Sequence, residues 1–279
     1  SDPERRRLFA ERWGIDAMYD DAQRMIQAVR PRILHICTHA DSHLQYLKLA
    51  LHHQVPVVVL EKPVSDSLHR AKRMVPQLVA GGTRVVVNHE RRYSRDYLKA
   101  RESILSGRFG PLRSVSASLF MGKERPLEAI LLYDGTHLFD IIAFLIGRPI
   151  EYVRRRGGRS REQTIFVRGW CAGVPILAQI GNGRDHVVFE LELSFESGRL
   201  RIGNGIYEEW ESADSPYYEN MRSLRLIESQ PLGKTGYFAE MFADAVRLIN
   251  DPEAVAVSSY AEGLESLELV QKIRKGLRF

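Results

Sequence analysis

A lysine placed directly after an apolar run is the first arrangement in this sequence that could do chemistry. Glu61-Lys62-Pro63 follows residues 55–60, which are apolar almost throughout. Pro63 disfavours a helical conformation at Lys62, so the chain continues extended and presents the amine beyond the strand end. Burial at that place would lower the pKa of Lys62 toward neutrality and allow it to donate or accept a proton. A solvated loop lysine is the alternative.

A histidine between two carboxylates is the second candidate. Asp134, His137 and Asp140 have i, i+3, i+6 spacing, so on a helix each neighbouring pair lies on overlapping faces. A carboxylate beside an imidazole fixes its tautomer and raises its basicity, which would suit His137 to exchange a proton with a hydroxyl. The alternative is that Asp134 caps a helix and His137 is a packed core residue.

The segments around Lys62 predict a parallel sheet. Short apolar runs alternate with amphipathic segments in the first third of the chain, and unbroken apolar strands are typical of parallel sheets covered on both faces. Strands are predicted over 33–37, 55–60 and 84–88. Helices are predicted over 2–14, 21–29, 42–51, 65–82 and 94–106.

The pattern changes after Pro111. Apolar and polar residues alternate over 115–119 and again over 189–195, which is typical of an antiparallel sheet with one face open. Helices are predicted over 134–146, 237–249 and 259–275. The fold class is therefore α/β, with a parallel-sheet domain in 1–110 and an α+β domain with a mainly antiparallel open sheet and C-terminal helices in 111–279.

Composition excludes several classes of protein. Of 279 residues, 44% are hydrophobic and 27% are charged, with a net charge of +5, as in an ordinary folded protein. No apolar run approaches the roughly 18 residues of a membrane span, and the N-terminal residues are too polar for a signal peptide, so a cytoplasmic protein without membrane contact is expected.

Cysteine and arginine usage adds two further exclusions. Cys37 and Cys171 lie too far apart for a disulfide scaffold, and Cys37, within a predicted strand, is expected to be a small buried side chain. Five arginines lie close together around residues 157–158, and we call them the basic cluster. No aromatic residues lie among them, so a nucleic-acid partner is not expected. The basic cluster comprises Arg154, Arg155, Arg156, Arg159 and Arg161.

Four motifs in this order resemble the Gfo/Idh/MocA family of nicotinamide-dependent glucose-fructose oxidoreductases, inositol dehydrogenases and their relatives. The motifs are the turn 38–43, Glu61-Lys62-Pro63, the segment 88–93 and Gly135-x-His137-x-x-Asp140. The resemblance spans about residues 2–147. It implies a Rossmann-like domain that binds NAD or NADP and a second, open-sheet domain that contacts substrate and forms oligomers.

The resemblance also implies roles for individual residues. Lys62 matches the family lysine near nicotinamide and substrate, His137 matches the catalytic histidine, and Asp134 is the candidate carboxylate beside it. The residues expected near the cofactor are Thr38, His39, His43, Glu61, Lys62, Pro63 and Asn88. No metal site is predicted, because His35, His39 and His43 recur every four residues but His35 lies on a predicted strand.

Two departures from the family pattern stand out. Tyr133 occupies the position of the usual aspartate, one residue before Asp134. The sequence also has no G-x-G-x-x-G motif, whose backbone would bind the pyrophosphate. Because the segment 2–5 resembles the one after the family's second strand, we expect the Rossmann-like domain to be N-terminally incomplete by one β-α-β unit of roughly 30 residues. Loss of the cofactor clamp is the alternative.

The resemblance implies an NAD(P)-dependent oxidoreductase that transfers a hydride between nicotinamide and a hydroxyl-bearing carbon of a sugar or cyclitol-like substrate. The alternative is a catalytically silent relative that binds a ligand or a protein partner. A homo-oligomer, dimer or tetramer, is expected because the strand 189–195 is strongly apolar and could pair an open sheet face with its copy.

Overall fold

The computed structural model describes residues 2–157, 164–230 and 237–275. A 3₁₀ turn spans Glu90–Tyr93 and a π-helical turn spans Ile130–Gly135. The helices are α1 (Pro3–Trp13), α2 (Ala22–Val29), α3 (His43–His52), α4 (Leu68–Lys72), α5 (Val75–Gly81), α6 (Arg95–Leu105), α7 (Leu127–Ala129), α8 (Thr136–Ile146), α9 (Tyr237–Asn250) and α10 (Tyr260–Arg274).

The strands form two separate sheets. They are β1 (Ile33–Ile36), β2 (Val57–Leu60), β3 (Arg84–Val87), β4 (Leu112–Met121), β5 (Tyr152–Gly157), β6 (Thr164–Cys171), β7 (Val174–Gly181), β8 (Val187–Phe195), β9 (Gly198–Gly203), β10 (Ile206–Asp214) and β11 (Arg222–Ser229). The first sheet is parallel with the order β1-β2-β3, and the second has the order β11-β10-β9-β8-β4-β7-β6-β5. The predicted α/β fold class is confirmed.

Helix ends follow local sequence signals. The Asp2 carboxylate accepts a hydrogen bond of 3.0 Å from the backbone nitrogen of Glu4, and Gly14 ends α1 in the left-handed region with a φ of 62°. The prediction of one helix over 65–82 is wrong, because the chain forms α4 and α5 there. Pro76 lies in the first turn of α5, where its missing N–H and fixed φ are tolerated, whereas it would break a continuous helix.

The parallel sheet is covered on both faces. Its central strand β2 is buried at every position, as the unbroken apolar run predicts. Val58 and Leu60 pack toward the side of α3, and Val57 and Val59 pack against α9. Because both faces of the sheet are covered, apolar and polar residues do not alternate along β2.

The larger sheet is mixed, since β4 pairs with β7 in parallel and its other strand pairs are antiparallel. Along β8, Phe189, Leu191, Leu193 and Phe195 are all buried in the core beneath the sheet. The apolar side of β8 therefore faces the core and not outward. The strand 189–195 cannot be the reason for the predicted homo-oligomer. The outward side carries Glu190 and other polar residues.

The helical segment Leu127–Ile146 is long and apolar enough to cross a membrane by length and composition alone, and 61% of its most apolar window is buried within the protein. It contains Asp134, His137 and Asp140. Leu138, Ile141 and other apolar side chains of α8 belong to the main core cluster. The burial is that of a core helix.

Helices from the C-terminal half of the sequence pack against the parallel-sheet region formed by the N-terminal half. The predicted boundary near Gly110 lies between α6 and β4, at the change from the parallel to the mixed sheet. However, Met241 and Leu248 of α9 pack on the parallel sheet, and the Tyr260 hydroxyl of α10 donates to the carbonyl oxygen of Ala71 in α4. The division into domains 1–110 and 111–279 stays a prediction.

A buried ion cluster joins the parallel-sheet region to α8. The Arg92 guanidinium donates two hydrogen bonds of 2.8 Å to the Asp140 carboxylate, and a third of 2.6 Å to Glu262. His89 Nδ1 lies 2.9 Å from Asp140 Oδ1. Burial alone would raise the pKa of Asp140, but His89 and Arg92 outweigh it and hold that pKa below its ordinary value.

Replacement of Arg92 by methionine tests this cluster. We expect Arg92→Met to lower the free energy of unfolding by about 3 to 5 kcal/mol, because the Asp140 carboxylate then stays buried without its main partner. Arg113→Met removes an arginine of similar size from an exposed pair with Glu196 and should cost less than about 1 kcal/mol. Urea denaturation measures both, and equal losses would contradict a stabilising role for the buried cluster.

Candidate active site

Lys62 reaches from the end of β2 to the π-helical turn of the other half of the chain. Its Nζ donates a hydrogen bond of 2.6 Å to the carbonyl oxygen of Tyr133. These residues are separated by 71 positions in the sequence. The lysine therefore lies beyond the carboxyl edge of the parallel sheet, where open α/β sheets bind their ligands, and within reach of the helix that carries His137.

Burial shifts the pKa of Lys62. Removal from water lowers the pKa of Lys62 below its ordinary value, although the carboxylates of Asp134, Glu90 and Glu61 act in the opposite direction. A lysine with a lowered pKa is more readily present as the neutral amine, which has a lone pair that can accept a proton.

His137 lies in the first turn of α8, beside the 3₁₀ turn. Its Nε2 is 3.5 Å from Glu90 Oε2, and its ring meets the His89 ring edge to face at 5.7 Å between centroids. Burial lowers the pKa of His137 well below its usual value, and the positive charges of Lys62 and Arg91 lower it further. The imidazole is therefore neutral at physiological pH.

Asp134 occupies a different place from the one that its spacing suggests. The i, i+3 spacing predicts that Asp134 lies beside His137, but residues 130–135 form a π-helical turn rather than a regular α-helix. Its Oδ2 instead lies 2.7 Å from Arg125 Nη1. Burial raises the pKa of Asp134, with Lys62 and Arg125 opposing the shift. The carboxylate that the structure places at His137 is that of Glu90, which corrects the predicted local pairing.

The residues expected near the cofactor gather at the ends of the three parallel strands. Thr38 and His39 are exposed directly after β1, and the Ser42 hydroxyl donates to Thr38 Oγ1 at 2.9 Å. His43 is buried behind them. Its Nδ1 and Nε2 each lie 2.9 Å from a backbone carbonyl oxygen, those of Pro63 and Thr38. His43 thus ties two strand-end loops together rather than facing the crevice.

Strand register explains a second cluster at this edge. Ile36 pairs with Leu60, so Cys37 and Glu61, the next residues on each strand, lie side by side, and His35 shares their face. Ligand atoms of these three residues lie within 4.8 Å of one another, a spacing that could hold a metal ion. Cys37 is exposed, so the prediction that it is buried is wrong: β1 ends one residue earlier, at Ile36.

Glu61 of this cluster contacts polar side chains at both neighbouring strands. The Asn88 side-chain nitrogen donates to Glu61 Oε1 at 2.5 Å, and His35 Nε2 lies 3.5 Å from the same oxygen. Burial opposes protonation of His35, but hydrogen bonds to Cys37 and Glu61 outweigh it and raise the pKa of His35 to about 9. The imidazolium and the carboxylate therefore form an ion pair.

The strand ends leave polar groups available to a ligand. Asn88 Oδ1 is buried and has no hydrogen-bond partner among the described residues, although a buried amide oxygen normally has one. The stretch 37–39 is exposed at the same edge. Thr38, Glu61, Lys62 and Asn88 together offer hydroxyl, carboxylate, amine and amide groups to a ligand in the crevice, and these residues would hold a nicotinamide cofactor.

Sequence reasoning did not single out Glu90 and Arg125. Glu90 lies within the segment 88–93 that carries the family resemblance, but the resemblance implies no role for it. Arg125 follows β4, and its carbonyl oxygen accepts a 2.9 Å hydrogen bond from Asn182. Its pairing with Asp134 depends on the loop after β4, for which the sequence contains no periodic signal.

Comparison with known proteins supports the assignment of the fold. Residues 1–89 match the GFO_IDH_MocA family model, described as an oxidoreductase family with an NAD-binding Rossmann fold. An uncharacterized oxidoreductase of Escherichia coli (strain K12), YhhX, is 31% identical over 125 residues, which cover 42% of this chain and 36% of YhhX. Myo-inositol 2-dehydrogenase of Thermotoga maritima is 21% identical over 253 residues, covering 87% of this chain and 74% of that enzyme.

The fold is also similar to that of solved structures. An oxidoreductase from Agrobacterium radiobacter, solved with NAD⁺, L-tartaric acid and magnesium, superposes with a TM-score of 0.77 at 20% identity, covering 99% of this chain and 86% of that one. The matched part of the chain thus spans little more than a third of YhhX but most of this structure. Residues 1–89 thus match the NAD-binding Rossmann domain of the Gfo/Idh/MocA oxidoreductase family, and the chain as a whole has the fold of solved oxidoreductases.

Proposed function

We propose that the protein is a dehydrogenase that uses NAD or NADP to oxidise or reduce a hydroxyl-bearing carbon of a sugar or cyclitol-like substrate. The observation that carries this proposal is the hydrogen bond from Lys62 to Tyr133, which brings the lysine after β2 to the helical segment that contains His137. The similarity to a myo-inositol dehydrogenase supports the substrate class.

The cofactor supplies the redox chemistry, because nicotinamide accepts a hydride from the substrate carbon or returns one to it. The protein has to position the carbon and manage the proton of the hydroxyl group. Among the described residues, we assign these tasks to Lys62 Nζ and His137 Nε2. One takes up the hydroxyl proton during oxidation, and the other binds the oxygen by a hydrogen bond.

Burial prepares both nitrogens for this work. It lowers the pKa of Lys62 and that of His137, so each is more readily present with a free lone pair. Tyr133 accepts one hydrogen of the Lys62 amine through its backbone carbonyl, which fixes the direction of the amine's remaining valences. A fixed nitrogen loses little orientational freedom when substrate binds.

Removal of either nitrogen should abolish most of the activity. We expect Lys62→Ala and His137→Ala each to reduce kcat at least about a hundredfold with a polyol substrate, which is the usual loss when general acid–base help is removed. Lys48→Ala, which removes an exposed lysine of α3, should leave kcat within about twofold. NAD(P)H absorbance measures the rates. Full turnover in both site variants would contradict the proposed mechanism.

The open face of the mixed sheet supports a second part of the proposal, a homo-oligomer. Phe166 of β6 and Leu177 of β7 are 48% and 52% exposed and lie on the outward side of neighbouring strands. Apolar side chains on a sheet face are typical of the centre of an interface between subunits. We propose that this face pairs with the same face of a second copy.

Light scattering tests the oligomer. The wild-type protein should have a mass of two or more chains, and Phe166→Glu with Leu177→Glu should shift it toward the monomer, because the paired charges would be buried against each other. Val79→Glu, at an 81% exposed valine of α5 and thus outside the mixed sheet, serves as the control and should keep the wild-type mass. A monomeric wild-type protein would contradict this part of the proposal.

A further inference from the structure

We propose that Glu90 is a positioning residue for His137, supplying the counter-charge that allows His137 Nε2 to hold the proton taken from the substrate hydroxyl. The inference rests on the proposed dehydrogenase function and goes further, because it assigns the proton to His137 and leaves Lys62 to bind the oxygen. Nothing in the family resemblance assigned Glu90 a role.

The contact between the two side chains identifies the atoms. Glu90 Oε2 lies 3.5 Å from His137 Nε2, which is ion-pair distance and longer than a good hydrogen bond. Such contacts in active sites often shorten when substrate is bound. His137 Nδ1 is buried and has no hydrogen-bond partner among the described residues. Nε2 is therefore the nitrogen that can exchange a proton.

The ion cluster holds Glu90 in this place. His89 directly precedes Glu90 and Arg92 follows it by two residues, and both bind the carboxylate of Asp140. Asp140 is three residues after His137, one turn further along α8. Because both flanking residues are anchored to the helix that carries His137, the Glu90 side chain has little freedom to leave it.

The other charges around the pair make a counter-charge necessary. Lys62, His89 and Arg91 all disfavour a positive charge on His137, as burial does. The same three residues face Glu90. The nearby carboxylates of Asp134 and Asp140 are already paired, with Arg125 and with Arg92 and His89. Glu90 is therefore the carboxylate whose charge is available to the imidazolium.

The proton balance is simple. During oxidation the hydroxyl O–H bond would break and its proton would form an N–H bond at His137 Nε2. The C–H bond of the hydroxyl-bearing carbon would break, with the hydride passing to nicotinamide, and the carbon–oxygen bond would become a carbonyl. The imidazolium then lies beside the Glu90 carboxylate. Burial raises the pKa of Glu90 and lowers that of His137, so the affinities of the two groups for a proton approach each other. A proton can remain within the pair at little cost.

Charge removal at Glu90 tests the proposal by kinetics. We expect Glu90→Gln to lower kcat by about 10- to 100-fold with KM changed less than about threefold, since Glu90 acts on the proton transfer and not on substrate binding. The acid limb of the kcat profile should move to lower pH, because a neutral neighbour stabilises the imidazolium less. Glu90→Asp should recover part of kcat. Glu265→Gln, at another glutamate whose pKa burial raises, is the matched control.

Nuclear magnetic resonance of the His137 ring tests it without turnover. In the wild type, protonation of the His137 imidazole should begin at a higher pH than in Glu90→Gln, with the signal assigned by His137→Gln. An unchanged titration of His137, or a kcat equal to wild type in Glu90→Gln, overturns the role of Glu90. If the titration shifts but no polyol is oxidised with NAD or NADP, the dehydrogenase proposal fails and the coupling between the two residues stands.

Discussion

The bidentate pair between Arg92 and Asp140 is the interaction on which the site depends. It connects the 3₁₀ turn after β3 to the second turn of α8, so it fixes the parallel sheet relative to the helix that carries His137. A buried pair of this kind is rarely the most stabilising solution, because desolvation offsets much of the attraction. Here the pair fixes the relative orientation of the two elements, because the planar guanidinium and carboxylate meet in one geometry. Glu262 and His89 make the further polar contacts of the two groups.

Exclusion of water then determines the chemistry of the groups that the pair brings together. The same desolvation shifts the pKa of Lys62 and His137 downward and that of Glu90 and Asp134 upward. Every one of these groups moves toward its neutral form, and the free energy needed to pass a proton among them decreases. An exposed version of the same site would carry fixed ammonium and carboxylate charges, which bind protons too tightly or too weakly for exchange with a hydroxyl.

The sequence predicted what local patterns determine. The three parallel strands, the lysine after β2 and the helix that carries His137 all follow from apolar runs and spacing, which act over a few residues. The contact of Glu90 with His137 and that of Arg125 with Asp134 could not be predicted, because each needs the relative placement of separate elements. The alternation over 189–195 correctly indicated one apolar face, but only the packing beneath the sheet shows that this face is turned toward the core.

The π-helical turn explains how the site accommodates Tyr133 at the position where the family resemblance implies an aspartate. Lys62 is held by the backbone carbonyl of residue 133, not by its side chain, so the hydrogen bond is available whatever residue is present. In a regular α-helix that carbonyl would be used by the amide four residues later, whereas a π-helical turn changes the pairing of its carbonyls. The Thr136 hydroxyl lies near the same carbonyls, donating to Leu132 at 3.2 Å. The backbone carbonyl of residue 133 thus takes the place of a side-chain partner for Lys62, and the carboxyl groups of Glu90 and Asp134 lie close enough to act on its pKa.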